Sequence, residues 1–133
     1  KWGGVRAPQA ILAQQGTRSL DWETILDEDI ISVLHAMGGN AFNSLKSLFI
    51  DEGQECLVGL ADALEAENSE MVARLAHSLK GSSLNMGATD LAEAAHQMEQ
   101  AAREQNKTQY SAYLNSLREQ FSRTCEALAE LEE

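Results

Sequence analysis

Residues 110–131 read YSAYLNSLREQFSRTCEALAEL and carry the clearest structural pattern of this chain. Mostly apolar side chains recur there at alternating steps of three and four residues, at Tyr110, Leu114, Leu117, Phe121, Thr124, Leu128 and Leu131. That spacing places them on one face of an α-helix, and the alternation is typical of a seam between packed helices. The stretch therefore predicts a long helix that belongs to a helical bundle.

Similar helical patterns fill most of the remaining sequence. Apolar spacing predicts a short helix over residues 30–37 and three longer helices over residues 40–66, 69–86 and 89–102. Asn40 and Asn68 are predicted to cap two of them. Because the turns between the last four helices are short, we expect consecutive helices to be antiparallel neighbours. The predicted fold class is all-α, an antiparallel up-down four-helix bundle with the short first helix and the leader across one end.

Length and local composition predict one domain. A chain of 133 residues has room for a single core. Residues 1–19 contain Gly3-Gly4, Pro8 and Gly16 and are predicted to be a linker or flexible leader, followed by the bundle over residues 20–133. Because the chain opens on a lysine, we expect it to be cut from a longer protein.

The net charge and the composition exclude some classes of binding partner. The net charge of −11 argues against nucleic acid and against direct contact with an anionic membrane, since both need a basic patch. No apolar run approaches the roughly 18 residues of a membrane span, and no signal peptide opens the chain, so we expect a cytoplasmic domain. Cys56 and Cys125 lie on apolar helix positions and are predicted to be free buried thiols. No residues show metal-ligand spacing, so no metal site is predicted.

One histidine stands out in the second of the longer predicted helices, in AHSLKGSS, residues 76–83. With 100° of turn per residue and Val72 as zero, the apolar residues of this helix centre near about 310°. These are Leu75, Leu79, Ser82 and Met86. His77 falls near about 140°, almost opposite. Ala73, Lys80 and Leu84 fall in the same outer sector, and Gly81 lies just beside it. The predicted exposed stripe is therefore Ala73, His77, Lys80, Gly81 and Leu84.

The composition of this stripe fits a reactive histidine that another protein must reach. A solvated imidazole is mostly neutral near pH 7, and its free nitrogen is a nucleophile. Lys80, one turn on, can balance the charge of a phosphoryl group, with Arg74 as further local positive charge. Gly81 costs the helix roughly 1 kcal/mol relative to alanine but leaves room for a partner. Leu84 and the small Ala73 would supply a docking surface. From these residues alone, a phosphoryl carrier and an ordinary surface histidine remain alternative interpretations.

A wider motif resembles a known family. His77-Ser78-Leu79-Lys80-Gly81, followed by Gly87-Ala88 and Leu91, is similar to the signature of histidine-containing phosphotransfer (Hpt) domains of bacterial phosphorelays. That signature is an H-x-L-K-G core, then small residues, a Gly-Ala turn and a leucine. The resemblance spans about Leu20 to Leu131. Asn68 stands where an aspartate is frequent, and either residue caps a helix well.

The resemblance implies a phosphorelay intermediate. His77 would accept a phosphoryl group from the aspartate of one receiver domain, on the ring nitrogen distal to the backbone, and pass it reversibly to another receiver. Mg²⁺ and the aspartate pocket would belong to the receiver, so no cofactor is expected here. Without a nucleotide-binding pattern, the domain would be a monomeric carrier without kinase activity. Because the leader resembles a linker, we expect this domain to be the C-terminal module of a hybrid sensor histidine kinase.

Two alternative functions compete with this one. A helical adaptor could dock receiver domains without carrying phosphate, but it would have no need of the complete His77-Lys80-Gly81 set. The dimerisation and phosphoacceptor hairpin of a histidine kinase usually has an acidic residue directly after its histidine, where this chain has Ser78. His35 and His96 lack the Leu-Lys-Gly context, and surface or packing roles are predicted for both.

Overall fold

The computed structural model describes residues 22–131, so the predicted leader lies outside the described residues. Its helices, in chain order, are α1 (Trp22–Ile25), α2 (Glu28–His35), α3 (Gly39–Glu65), α4 (Ser69–Asn85), α5 (Thr89–Arg103) and α6 (Tyr110–Ala129). A single 3₁₀ turn, Lys107–Gln109, precedes α6. No strand occurs within this range, and the predicted all-α fold class is confirmed.

The four long helices form the bundle. Consecutive helices from α3 to α6 pack against each other, and α6 returns to α3, which closes the ring. The turns between them each pass through one residue of positive φ: Glu67 at 57°, Gly87 at 76° and Gln105 at 56°. Such tight reversals make neighbouring helices antiparallel. Their inward faces bury Leu60, Leu79, Leu91, Met98, Leu117 and Leu128 almost completely.

The short helices cover one end of the bundle, as predicted. Asp27 caps α2, because its Oδ1 accepts hydrogen bonds from the backbone N–H of Asp29 at 2.9 Å and of Ile30 at 3.3 Å. The Asp27 N–H in turn donates to the carbonyl oxygen of Gly87 at 2.7 Å. A side chain on Gly87 would place a Cβ 3.1 Å from that of Ile30. The α4–α5 turn is therefore seated directly on the start of α2.

One predicted cap is confirmed and one is wrong. The Asn68 side chain accepts a hydrogen bond from the Met71 N–H at 3.1 Å and caps α4. Asn40 does not cap α3, because that helix begins at Gly39 and its cap position is Gly38. Gly38 has a φ of 104°, which starts the helix two residues earlier than a side-chain cap at Asn40 would.

Two glycines inside α3 are explained by packing. A Cβ built on Gly53 would collide with the ring of Phe121 on α6, and Phe121 is itself held by Phe49 at a ring-centroid distance of 5.9 Å. A Cβ on Gly59 would lie 3.1 Å from Leu75 Cδ1 on α4. Each glycine therefore lets a neighbouring helix approach α3 closely.

Replacing Gly53 by alanine is expected to destabilise the bundle. Alanine favours the helix by roughly 1 kcal/mol, but forcing a buried ring to move costs about 1–3 kcal/mol, so we expect a net loss of about 1 kcal/mol. Urea unfolding followed by circular dichroism measures the change. An unchanged or higher free energy of unfolding would mean that Phe121 can move at no cost.

Within residues 22–131, no helix is long and apolar enough to cross a membrane.

Candidate functional site

Helix α4 is rotated relative to the orientation predicted from its large apolar residues. Its buried residues are Val72, Ala73, Ala76, Leu79 and Ser83, whereas Leu75 and Ser82 are only partly buried. The reason lies in α5, whose buried residues on the side of Glu99 and His96 include the alanines Ala92, Ala95 and Ala102. Small residues on both helices allow a close approach. The core face of α4 is therefore set by alanine and serine as much as by leucine.

This rotation changes the surroundings of two residues that were predicted to be exposed. Ala73 was predicted to be exposed and is only 5% exposed, because it lies toward the alanines of α5. His77 remains exposed, but it lies at the edge of α4 next to α5 rather than opposite the core. An imidazole at that edge is open to solvent and also within reach of side chains on α5.

His77 makes a directed contact with the buried carboxylate of Glu99. Its side chain is 64% exposed, and its Nδ1 lies 3.1 Å from Glu99 Oε2. Because an ionised carboxylate can only accept hydrogen bonds, Nδ1 must carry the proton and donate it. In the neutral ring this leaves the lone pair on Nε2, at the far side of the ring. The distal nitrogen, Nε2, is therefore the ring atom that offers a free lone pair.

The Glu99 carboxylate contacts three side chains that carry positive charge or donate hydrogen bonds. It is 8% exposed on α5 and accepts hydrogen bonds at Oε2 from Arg103 Nε at 3.2 Å and Nη2 at 2.8 Å. Its Oε1 forms an ion pair with Lys80 Nζ at 3.1 Å. A buried carboxylate is tolerated when such partners surround it. Glu99 is therefore the centre that ties His77 and Lys80 on α4 to Arg103 on α5.

These partners keep Glu99 ionised. Burial by itself raises the pKa of this carboxyl, but Arg103, Lys80 and His77 more than offset that effect and lower the pKa from 4.5 to about 2. The carboxylate is therefore negative throughout the pH range in which proteins normally work. It stays a hydrogen-bond acceptor for His77 Nδ1 over that whole range.

Lys80 is less exposed than predicted. Its side chain is 25% exposed, because the ammonium is drawn toward Glu99 and away from solvent. Its Nζ also lies 3.4 Å from Nδ1 of His96. His96, predicted to have a surface or packing role, is therefore a neighbour of the site through Lys80.

A groove lies beside His77, between α4 and the end of α5. It encloses about 360 Å³ and is lined by Ser69, Glu70, Ala73, Arg74, His77, Ala102, Arg103 and Gln105. Arg74 is exposed there and pairs with Glu70 at 3.5 Å. Ala73, although buried, lines this groove. Two guanidinium groups therefore border the approach to the imidazole on this side.

Gly81 and Leu84 are both exposed, as predicted. Leu84 is 51% exposed. A Cβ built on Gly81 would meet nothing within 4 Å, in contrast with Gly53. Packing within the described domain thus gives no reason for a glycine inside α4 at this position.

Glu99 and Arg103 were missed by the sequence reasoning. A signal for Glu99 is present, because it follows Ala95 by four residues and precedes Ala102 by three, both on the apolar face of α5. A carboxylate on an apolar face requires a cation or a polar site nearby. Arg103, one turn after Glu99, is such a cation.

The geometry can be set beside known proteins. A model of the Hpt domain family matches residues 44–132, which include α4, α5 and the whole His77 site. The chain belongs to the Hpt family.

Two solved structures are similar to this Hpt domain. Histidine-containing phosphotransfer protein B of Pseudomonas aeruginosa PAO1 is 27% identical, with a TM-score of 0.76 over 79% of this chain and 91% of that one. A putative histidine-containing phosphotransfer protein from rice is 23% identical, with a TM-score of 0.76 over 92% of this chain and 93% of that one, and shows the shared fold. A comparison with curated proteins found no match.

The cysteines of the Hpt bundle are free, as predicted. Cys56 and Cys125 are both partly buried, and burial raises the pKa of each thiol to about 11. The Cys56 thiol lies 3.3 Å from the carbonyl oxygen of Leu75, to which it donates. Among residues 22–131, no three His, Cys, Asp or Glu side chains are grouped to hold a metal ion.

Glu99→Gln is expected to remove a pH-dependent part of the domain's stability. Because the folded-state pKa of Glu99 is lowered from 4.5 to about 2, its contribution is complete above pH 4.5 and is lost as the pH falls toward 2. The variant should therefore be less stable than the wild type near neutral pH, and the gap should close as the solution is acidified. Urea unfolding at a series of pH values measures this.

The matched control for Glu99 is Glu93→Gln, an exposed carboxylate on the same helix. It should follow the wild-type pH profile. If the difference in unfolding free energy between wild type and Glu99→Gln stays constant down to pH 3, the ion-pair assignment is wrong. A packing defect alone would lower stability by the same amount at every pH.

Proposed function

We propose that His77 is the phosphoacceptor of a phosphorelay. It accepts a phosphoryl group from the aspartate of one receiver domain and passes it reversibly to the aspartate of another. The observation that carries this proposal is the contact of His77 Nδ1 with Glu99 Oε2 at 3.1 Å. It fixes the proton on one ring nitrogen and leaves the other as an exposed nucleophile. Membership of the Hpt family supports the same role.

The transfer follows from this arrangement. The Nε2 lone pair attacks the phosphorus of the aspartyl phosphate, the N–P bond forms, and the P–O bond to the aspartate carboxylate breaks. The His77 ring then keeps its proton on Nδ1 and becomes a phosphoimidazolium. Its positive charge faces the Glu99 carboxylate, which is ionised in advance and needs no rearrangement. Since a protonated imidazole leaves more readily than its anion, the reverse step to a second aspartate is also favoured.

The surroundings of His77 support docking by a receiver domain. Gly81 leaves open space one turn along α4, Leu84 adds exposed apolar surface, and Arg74 and Arg103 border the groove. We expect the Mg²⁺ and the aspartate pocket to come from the receiver, with no cofactor from this chain. Ala73 contributes as lining of the groove.

The wider setting is part of the same proposal. We place the bundle over residues 20–133 in the cytoplasm, as a monomeric module at the C-terminus of a hybrid sensor histidine kinase. Residues 1–19 would be its linker, which their Gly and Pro content supports. The net charge of −11 supports protein partners over nucleic acid or a membrane surface.

Label transfer from receivers tests the proposal. The domain is mixed with a panel of receiver domains carrying radiolabelled aspartyl phosphate and Mg²⁺, and the label it acquires is checked for acid lability and alkali stability. We expect transfer from cognate receivers and none from ATP alone. Binding to a labelled receiver without any transfer would support the adaptor instead.

Lys80→Ala is expected to slow transfer or shorten the lifetime of phosphorylated His77. The Lys80 ammonium lies near the site, and its charge offsets that of the phosphoryl group. Because Lys80 is 25% exposed and shares its charge with Glu99, we expect an effect of only about twofold to fivefold, weaker at high salt. Lys80→Arg should keep part of the effect. Equal rates and lifetimes for wild type and Lys80→Ala at low salt would contradict this role.

A further inference from the structure

Two side chains of α5 hold the Lys80 ammonium. Its Nζ is 3.1 Å from Glu99 Oε1 and 3.4 Å from His96 Nδ1. Glu99 follows His96 by three residues, so the two side chains are neighbours on one face of the helix. The ammonium is thus anchored to α5, although Lys80 belongs to α4 and lies one turn from His77.

The contact with His96 depends on the charge of its ring. An ammonium has only donors, so His96 Nδ1 must offer a lone pair, with the ring neutral and its proton on Nε2. Once protonated on both nitrogens, the ring would direct an N–H toward the ammonium, and the two positive charges would repel each other. A protonated His96 would also compete with Lys80 for Glu99.

We propose that His96 is a positioning residue for Lys80. In its neutral form it holds the ammonium at α5, and in its protonated form it releases the ammonium toward the phosphoryl group on His77. This inference rests on the proposed function of His77. It gives the domain a way to adjust phosphohistidine lifetime as the pH falls and the His96 ring gains a second proton.

The charged neighbours of His96 are compatible with this behaviour. Lys80 faces it from α4, and Glu93 and Glu99 lie three residues before and after it on α5. Within residues 22–131, no side chain of α6 forms a hydrogen bond or an ion pair with His96. Lys80, Glu93 and Glu99 are therefore the charged groups whose balance the His96 charge would change.

Two substitutions of His96 distinguish the state in which the Lys80 ammonium is held at α5 from the state in which it is released. His96→Phe removes the acceptor at every pH, whereas His96→Asn keeps a neutral acceptor near the Nδ1 position that never becomes charged. At about pH 8 we expect phosphorylated His77 to live roughly twofold longer in His96→Phe than in wild type, and at about pH 5.5 the two should converge. His96→Asn should match wild type at the higher pH and fall below it at the lower.

His35→Phe is the matched control, since it removes a histidine on α2 that packs edge-on against Phe42. It should follow the wild-type profile at both pH values. Parallel profiles for all four proteins would overturn the positioning role of His96, because a merely structural residue would not alter the pH dependence.

Nitrogen-15 NMR of the unphosphorylated domain tests the contact without phosphotransfer. We expect the His96 ring to be the Nε2–H tautomer at about pH 8. The Nδ1–H tautomer would overturn the inference even if His77 carries phosphate. If receivers transfer no label while the Nε2–H tautomer is found, the phosphoacceptor role of His77 fails, and with it the proposed effect of His96 on phosphohistidine lifetime.

Discussion

His77→Gln is expected to abolish acid-labile phosphorylation of the domain by receivers. Glutamine can still hydrogen bond to Glu99, but its amide nitrogen has no available lone pair and cannot form a stable bond to phosphorus. The fold should be preserved, because the His77 side chain is 64% exposed and surface substitutions usually change stability by no more than about 0.5 kcal/mol. Label transfer and far-ultraviolet circular dichroism measure the two properties side by side.

The other two histidines provide controls for this result. His35→Gln and His96→Gln should each still accept label, since neither ring occupies the His77 position beside Glu99 Oε2. Acid-labile label that persists in His77→Gln would show that the phosphoacceptor lies elsewhere, and mapping of the labelled peptide would identify it. Loss of label together with loss of helix would mean that His77 is structurally essential, contrary to the exposure of its side chain.

The fold was largely predictable from the sequence because large apolar residues determine the long helices. The seam of α6 is the clearest case: Leu117, Phe121 and Leu128 are all buried as their spacing predicts. The cap of α3 was predicted at Asn40, two residues after the observed cap at Gly38. A positive φ at Gly38 determines that boundary, and two adjacent glycines do not reveal which of them adopts it.

The candidate site was only half predictable, for a different physical reason. The exposed positions of His77, Gly81 and Leu84 follow from helical periodicity. The burial of Ala73 does not, because alanine gives a weak hydrophobic signal and is buried here by matching alanines on α5. The contact of Glu99 with His77 joins residues 22 positions apart, and periodicity within one helix carries no information about such pairs.

Gly81→Leu is expected to reduce phosphotransfer strongly while leaving the free domain folded. The position is exposed, and a Cβ there meets nothing within 4 Å, so leucine fits the isolated bundle. Leucine also suits a helix better than glycine by roughly 1 kcal/mol, so the free energy of unfolding should rise. In the complex, the same side chain would stand one turn from His77, where a receiver must bring its aspartyl phosphate into contact with Nε2.

The size of the transfer defect follows from the distances involved. Phosphoryl transfer needs the reacting atoms about 3–3.5 Å apart, and displacement by about 1 Å can cost roughly a hundredfold in rate. We therefore expect a loss of at least about tenfold to a hundredfold in single-turnover transfer with Gly81→Leu, and a smaller loss with Gly81→Ala. Ala112→Leu, at an exposed position on α6, is the control for added apolar surface and should transfer normally. Gly53→Ala should thus lower the free energy of unfolding, whereas Gly81→Leu should raise it. Gly53 gives space to a helix inside the bundle, and Gly81 gives space to a partner outside it. A Gly81→Leu domain that is more stable and still transfers at the wild-type rate would show that no partner approaches α4 closely at this turn.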